Sequence, residues 1–217
     1  MITVDFHSHS IFSKDCLTSL ESLIRVCDRK HINRIVITDH NTIEGANLAK
    51  VLDPVHIIIG EEIKTKQGEL LGLFLKEGIP GGLSASETIK LLKDQGAFIS
   101  VSHPFDRLRN GHWNLSSLLE ILPMLDSIET FNARCMTPGA NGEAEQFAQY
   151  YHIGGTAGSD AHTPHEIGAA MLKIPEFWDP ESLRLALPKA QFMGHQSGYW
   201  VHFFSYYARW RKRMMHG

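Results

Sequence analysis

The sequence predicts an α/β protein built on a closed or nearly closed, mainly parallel sheet. Two observations lead there. Short β-branched runs alternate with stretches of helical periodicity along the 217 residues, the pattern of strand–helix units that pack a parallel sheet. Side chains able to bind metals recur where those runs end, which would gather them on one rim of such a sheet.

In chain order, strands are expected at residues 2–6, 34–38, 55–60, 97–101, 127–131, 155–158 and 169–174, each short and bounded by polar or glycine-bearing turns. Helices are expected at residues 19–30, 42–52, 84–95, 115–122 and 142–151. Thr18 or Ser19 ahead of Glu21, and Ser84 three residues before Glu87, are start signals, because such a hydroxyl accepts from an otherwise unpaired amide of the first turn. Residues 70–75, after Gln67-Gly68, read as the second arm of a hairpin begun at Ile63. About seven strands favour a barrel, with a doubly wound open sheet as the alternative. The most loop-like stretch, residues 78–82, would leave two undersized halves, so residues 1–217 are read as one domain.

The 43% hydrophobic and 21% charged residues are ordinary globular values. A formal charge of −3 argues against a general nucleic-acid or membrane-surface role. Three cysteines, Cys16, Cys27 and Cys135, are too few for a disulfide framework, which points to a reducing compartment. The start Met-Ile-Thr-Val-Asp lacks the basic and apolar regions of a signal peptide, and no apolar run approaches the ~18 residues of a bilayer span. A cytoplasmic protein with no membrane partner is expected.

Thirteen histidines are many for this length, and their positions matter more than their number. Asp5, His7 and His9 are spaced by two at the end of the first strand, so strict alternation would send them to one face. Later strands end in Thr38-Asp39-His40-Asn41, Gly60-Glu61-Glu62, Ser102-His103-Pro104, Phe131-Asn132-Ala133-Arg134 and Gly158-Ser159-Asp160-Ala161-His162. A lone His-x-His is usually incidental. An ordered series of strand ends carrying imidazoles and carboxylates instead describes a nitrogen–oxygen site for zinc, manganese or iron, with too many ligands for one ion.

These motifs, with Asp15, resemble the PHP (polymerase and histidinol phosphatase) family of metal-dependent phosphoesterases over roughly residues 1–168. The resemblance implies a distorted (β/α)7, TIM-like barrel holding two or three divalent ions at the C-terminal ends of its strands. It implies one ion on His7, His9, Glu62 and Asp160, a second sharing Glu62 with His103, and a third on Asp15, His40 and His162. The family pattern selects Glu62 over its neighbour Glu61. Some members carry a histidine where this chain has Asn132, and Cys135 lies close by.

A metal-dependent phosphoric ester hydrolase follows from the resemblance, with a small phosphorylated metabolite or nucleotide as substrate. The alternatives are an exonuclease trimming short RNA or DNA, and a non-catalytic regulatory domain. Asp160 or His162 is expected to move the proton. Arg134 is the first choice for gripping phosphate, followed by Arg107 and Arg109, with Asn132 near the substrate. Asp5 and Asp39 are expected to orient histidines. Tyr199, Phe203, Tyr206 and Trp210 recur at helical spacing before Arg211-Lys212-Arg213. A helix over about 198–213 packed on the barrel is expected, with a membrane, RNA or dimer contact as alternatives, in a monomer or homodimer.

Overall fold

The structure is a computed structural model that describes residues 1–216. Its strands are β1 (Ile2–Ser8), β2 (Arg34–Ile37), β3 (Ile57–Lys64), β4 (Glu69–Leu73), β5 (Phe98–Val101), β6 (Ser127–Asn132), β7 (Gly154–Gly158), β8 (Ala170–Ile174) and β9 (Gln191–Gly194). The helices are α1 (Leu20–Lys30), α2 (Glu44–Leu52), α3 (Ala85–Asp94), α4 (Leu115–Ile121), α5 (Ala140–Tyr151), α6 (Pro180–Ala186) and α7 (Val201–His216). One sheet runs in the order β7-β6-β5-β4-β3-β2-β1-β8-β9.

The helix starts follow the sequence signals. Ser19 accepts from the Ser22 amide, and Ser84 with Glu87 forms a reciprocal capping box, an arrangement that contributes about 1 kcal/mol per cap. Between helices, β1, β2 and β3 pair in parallel, as do β5, β6 and β7. The expected hairpin forms, with β4 antiparallel to both β3 and β5. Its turn is too short for a crossover helix, because Thr65 Oγ1 already accepts from the Gln67 and Gly68 amides. The sheet is therefore more mixed than the alternation predicts.

The sheet nearly closes on itself beyond the ends of β1 and β7. Asp160 donates its amide to the His7 carbonyl at 2.8 Å, and His9 donates to the Ala161 carbonyl at 3.0 Å. The strand expected at residues 169–174 is β8, which runs antiparallel beside the first half of β1 and pairs with β9. Helix α6 and strand β9 were not expected from the sequence, since both are short and weakly patterned. Val4, Phe6, Leu71, Leu73 and Phe98 belong to one buried apolar cluster with Phe177. Each such side chain contributes about 1.5–3 kcal/mol on burial. No helix among the described residues is long and apolar enough to cross a membrane.

Candidate metal centre

Strand ends bring the histidines and carboxylates together. The β1 register shifts between Asp5 and Ser8, so strict alternation fails there. His7 and His9 still meet, with their Nε2 atoms 3.2 Å apart. Asp5 does not join them. It accepts from the amides of His7, Ser159 and Gly168 and from the Ser159 hydroxyl, bracing the loop before Asp160 rather than an imidazole. Burial pushes the Asp5 carboxyl up to about 6, against those hydrogen bonds.

Glu62 is the hub. Its Oε2 lies 3.4 Å from His7 Nε2, 3.4 Å from His9 Nε2 and 3.0 Å from His40 Nδ1. Its Oε1 lies 3.0 Å from His103 Nε2 and accepts from Ser102 Oγ. Asp160 faces Glu62 across the histidines, with Oδ1 3.2 Å from His9 Nε2 and 3.7 Å from His7 Nε2. Asp15 Oδ1 lies 3.5 Å from His40 Nε2 and 3.4 Å from His162 Nε2. Glu61 points elsewhere and holds the loop at residue 79 by accepting from the Ile79 amide.

Two of these residues, His103 and Asp160, sit at positive φ, 27° and 51°. Left-handed backbone is costly for such side chains and concentrates at sites where the surrounding structure holds it in place.

Charge balance explains the ionisation of the cluster. Burial raises the Glu62 and Asp160 carboxyls, but His7, His40 and His103 around Glu62, and Arg109, His7 and His9 around Asp160, outweigh it and hold both well below the usual range. Burial likewise opposes the Asp15 charge, and His162 and His40 overcome it. His9 is pushed down to about 4 by burial and by His162 and His40 beside it. His162 is lowered by burial and by Arg134. His7 and His40 move the other way, because Glu129 with Glu62, and Glu62 with Asp15, offset the cost of burying a charged ring.

Six of the eight expected ligands fall into three tight groups, Asp15 and Asp160 border them through His40, His162, His7 and His9, and the structure adds residues that the sequence did not single out. His7, His9 and Glu62 form one group; His9, His40 and His162 another; Glu62, His103 and Glu69 a third. Glu69 enters because the β3–β4 hairpin returns its strand past Glu62, placing Oε2 3.5 Å from His103 Nε2. Glu129, one turn of alternation before Phe131, holds His7 Nδ1 at 3.1 Å and accepts from the His103 amide. Asp39 accepts from Ser13, whose Oγ lies 3.0 Å from His9 Nδ1, so it steadies His9 through one hydroxyl. No sequence pattern marked Glu69 or Glu129, since both depend on which strands become neighbours.

The expected phosphate contacts need revision. Arg107 is exposed and pairs with Glu143 of α5, outside the cleft over the cluster. Asn132 is buried, and its amide is committed: Nδ2 donates to Glu129 and Asp160 while Oδ1 accepts from the Arg134 amide. Arg134 is buried too. Its Nε lies 3.1 Å from Glu166, its Nη2 donates to Ser205 and the Val201 carbonyl, and its Nη1 reaches the Asp160 carbonyl. Arg134 nevertheless lines the cleft over the cluster, and because Arg109 is ion-paired too, pairing alone does not rank the two as phosphate contacts. Arg109 remains in place: it borders the cleft, and its Nη2 is 2.6 Å from Asp160 Oδ2. Cys135 is buried, its thiol pushed up by burial, and it joins none of the three groups.

Buried imidazoles and carboxylates cluster at one rim of a nearly closed α/β barrel, an arrangement suited to metal-dependent hydrolases. A family profile described as PHP-associated matches residues 138–191. The uncharacterized protein MJ0417 of Methanocaldococcus jannaschii is 38% identical over 176 residues, covering 80% of this chain and 70% of that protein. Among solved structures, a two-domain Bacteroides vulgatus protein containing a predicted PHP-like metal-dependent phosphoesterase superposes with a TM-score of 0.71 at 22% identity. That match covers 89% of this chain, which spans 65% of the two-domain chain. The lesion-specific endonuclease PfuEndoQ of Pyrococcus furiosus gives a TM-score of 0.58 at 16% identity, covering 88% of this chain and 57% of its own. The chain belongs to the PHP family.

Proposed function

We propose that the cluster is a multinuclear divalent-metal centre and that the chain hydrolyses phosphate monoesters of small metabolites or nucleotides. One observation carries this reading. Glu62 Oε2, Asp160 Oδ1 and Asp15 Oδ1 are buried and accept no hydrogen bond, although each lies within 3.5 Å of an imidazole nitrogen. Carboxylate oxygens and ring nitrogens converging at these distances fit shared cations, which would take the place of the protons on His7 and His40, and a buried acceptor left unpaired costs about 1–3 kcal/mol otherwise.

His7, His9, Glu62 and Asp160 would hold one ion; Glu62, His103 and Glu69 a second; Asp15, His40 and His162 a third. The donors are nitrogen and oxygen, suited to manganese, zinc or iron. Ions bound there supply charge stabilisation for phosphate oxygens and a lowered pKa for the attacking water. His162 serves as a neutral ligand, because its Nδ1 lies 2.8 Å from the Asp160 carbonyl, which fixes Nε2 as the lone-pair nitrogen facing Asp15. Asp160, kept ionised, accepts a hydrogen bond from the attacking water and orients it. Arg109 turns from Asp160 to the non-bridging oxygens of the ester, where its planar fork can grip two at once.

The cleft over the cluster has a volume of about 280 Å³ and is bordered by Lys14, Lys64 and Arg109. That size suits a single phosphorylated small molecule, whereas a polymer requires an extended basic groove. Phosphate release by manganese-loaded protein across phosphorylated metabolites, mononucleotides and dinucleotides tests the reading. Monoesters are expected to be cleaved, with kcat/KM falling about 10²-fold in Arg109→Ala. Release of mononucleotides from oligomers without phosphate from monomers would replace it with the nuclease.

A further inference from the structure

Helix α7 docks on the barrel through small side chains. Val201, Ser205 and Ala208 are buried, and Lys212 donates to the carbonyls of Ile11 and Ser13. At about 100° per residue, the opposite face carries Phe203, Tyr206, Tyr207, Trp210 and Met214, all exposed, Phe203 by 66% and Trp210 by 53%. The aromatic stripe expected to pack inwards therefore faces solvent along about 17 Å of helix. Arg211 and Arg213 flank it, about 80° to either side.

The overall charge of −3 conceals this end of the molecule. After Glu181 the chain holds no Asp or Glu, but it has Arg184, Lys189, Arg209, Arg211, Lys212 and Arg213, so residues 182–217 carry +6 against −9 elsewhere.

We propose that the outward face of α7 binds an anionic bilayer surface. Tyrosine and tryptophan have apolar bodies with polar tips and favour the headgroup boundary, while flanking arginines engage lipid phosphates. An apolar face plus basic flanks provides the two signals that stable peripheral binding requires. A second copy of the chain fits less well, because facing helices would oppose Arg211 and Arg213 to their own kind with no carboxylate on either α7. A nucleic-acid strand needs cations among its stacking rings, whereas here they lie at the margins of a continuous apolar centre line. His202, Ser205 and Arg209 of the same helix border the catalytic cleft, so the bilayer would lie beside its mouth. The surface is argued independently of the proposed reaction.

Co-sedimentation of the full chain with phosphatidylcholine vesicles, with and without phosphatidylglycerol, tests this. Binding is expected only to the anionic vesicles, with release by high salt. The paired change Phe203→Ser with Trp210→Ser, and separately Arg211→Glu with Arg213→Glu, should each raise the lipid needed for half-binding at least about tenfold. Their far-ultraviolet circular dichroism and melting should match the parent, since these side chains are exposed. The proposal is overturned by absence of vesicle binding, by equal binding to neutral vesicles, or by undiminished binding in both paired variants. A dimer that the Phe203→Ser, Trp210→Ser variant dissolves, or a single-stranded oligonucleotide captured in place of vesicles, would overturn it in favour of those occupants.

Discussion

Glu62 reaches four histidines through two oxygens, and strand alternation separates it from Glu61. That choice was readable because alternation puts the two glutamates on opposite faces and the family pattern selects the second. The histidines were readable for a similar reason, since each follows a recognisable strand. Glu69 and Glu129 were not, because their roles depend on which strands become neighbours, and the Asp5 alternation failed at a bulge. Side-chain partners were the least readable: Arg107, Arg134 and Asn132 all look free on paper and are paired in space. At this scale Asp39 offers a test away from the ligands themselves. It accepts from Ser10 and Ser13 and so fixes the loop carrying His9. Asp39→Ala is expected to weaken metal affinity about 10–100-fold, read by titration calorimetry, while leaving the ligand set intact.

Among the elements, the closure between β1 and the end of β7 decides whether the cluster forms. Gly158 packs there so tightly that an added Cβ would overlap the Cβ and backbone nitrogen of His7. Gly158→Ala is expected to cost at least about 2 kcal/mol, read as a lowered denaturation midpoint, with metal content falling in parallel. The expected strands and helices lie within a few residues of those observed, and α1 and α3 start at the caps read from Ser19 and Ser84, whereas α6 and β9 were not foreseen. The direction of β4 followed from its short turn. The side that α7 buries did not follow, because an aromatic stripe normally marks the inner face and here Val201, Ser205 and Ala208 take that role.

For the whole molecule, the barrel concentrates ionised carboxylates and buried imidazoles at one rim. Ions held there, as proposed, would bind the folded state and not the unfolded chain, and so would stabilise the fold by mass action. Removing them with a chelator is expected to lower Tm by about 5–10 °C, and adding manganese or zinc back to restore it, if the free ion stands about 100-fold above its Kd. A chelator-insensitive Tm would mean that the rim is stable as a hydrogen-bonded network alone.

The most direct test is calorimetric titration of manganese into chelator-stripped protein, comparing the parent chain with Glu62→Gln. Because Glu62 joins two of the three groups, the parent should bind more than one equivalent and the variant should lose at least one, with the remainder weakened. Absence of saturable binding in the parent, or identical isotherms for the two proteins, would contradict the assignment of this cluster as a metal centre.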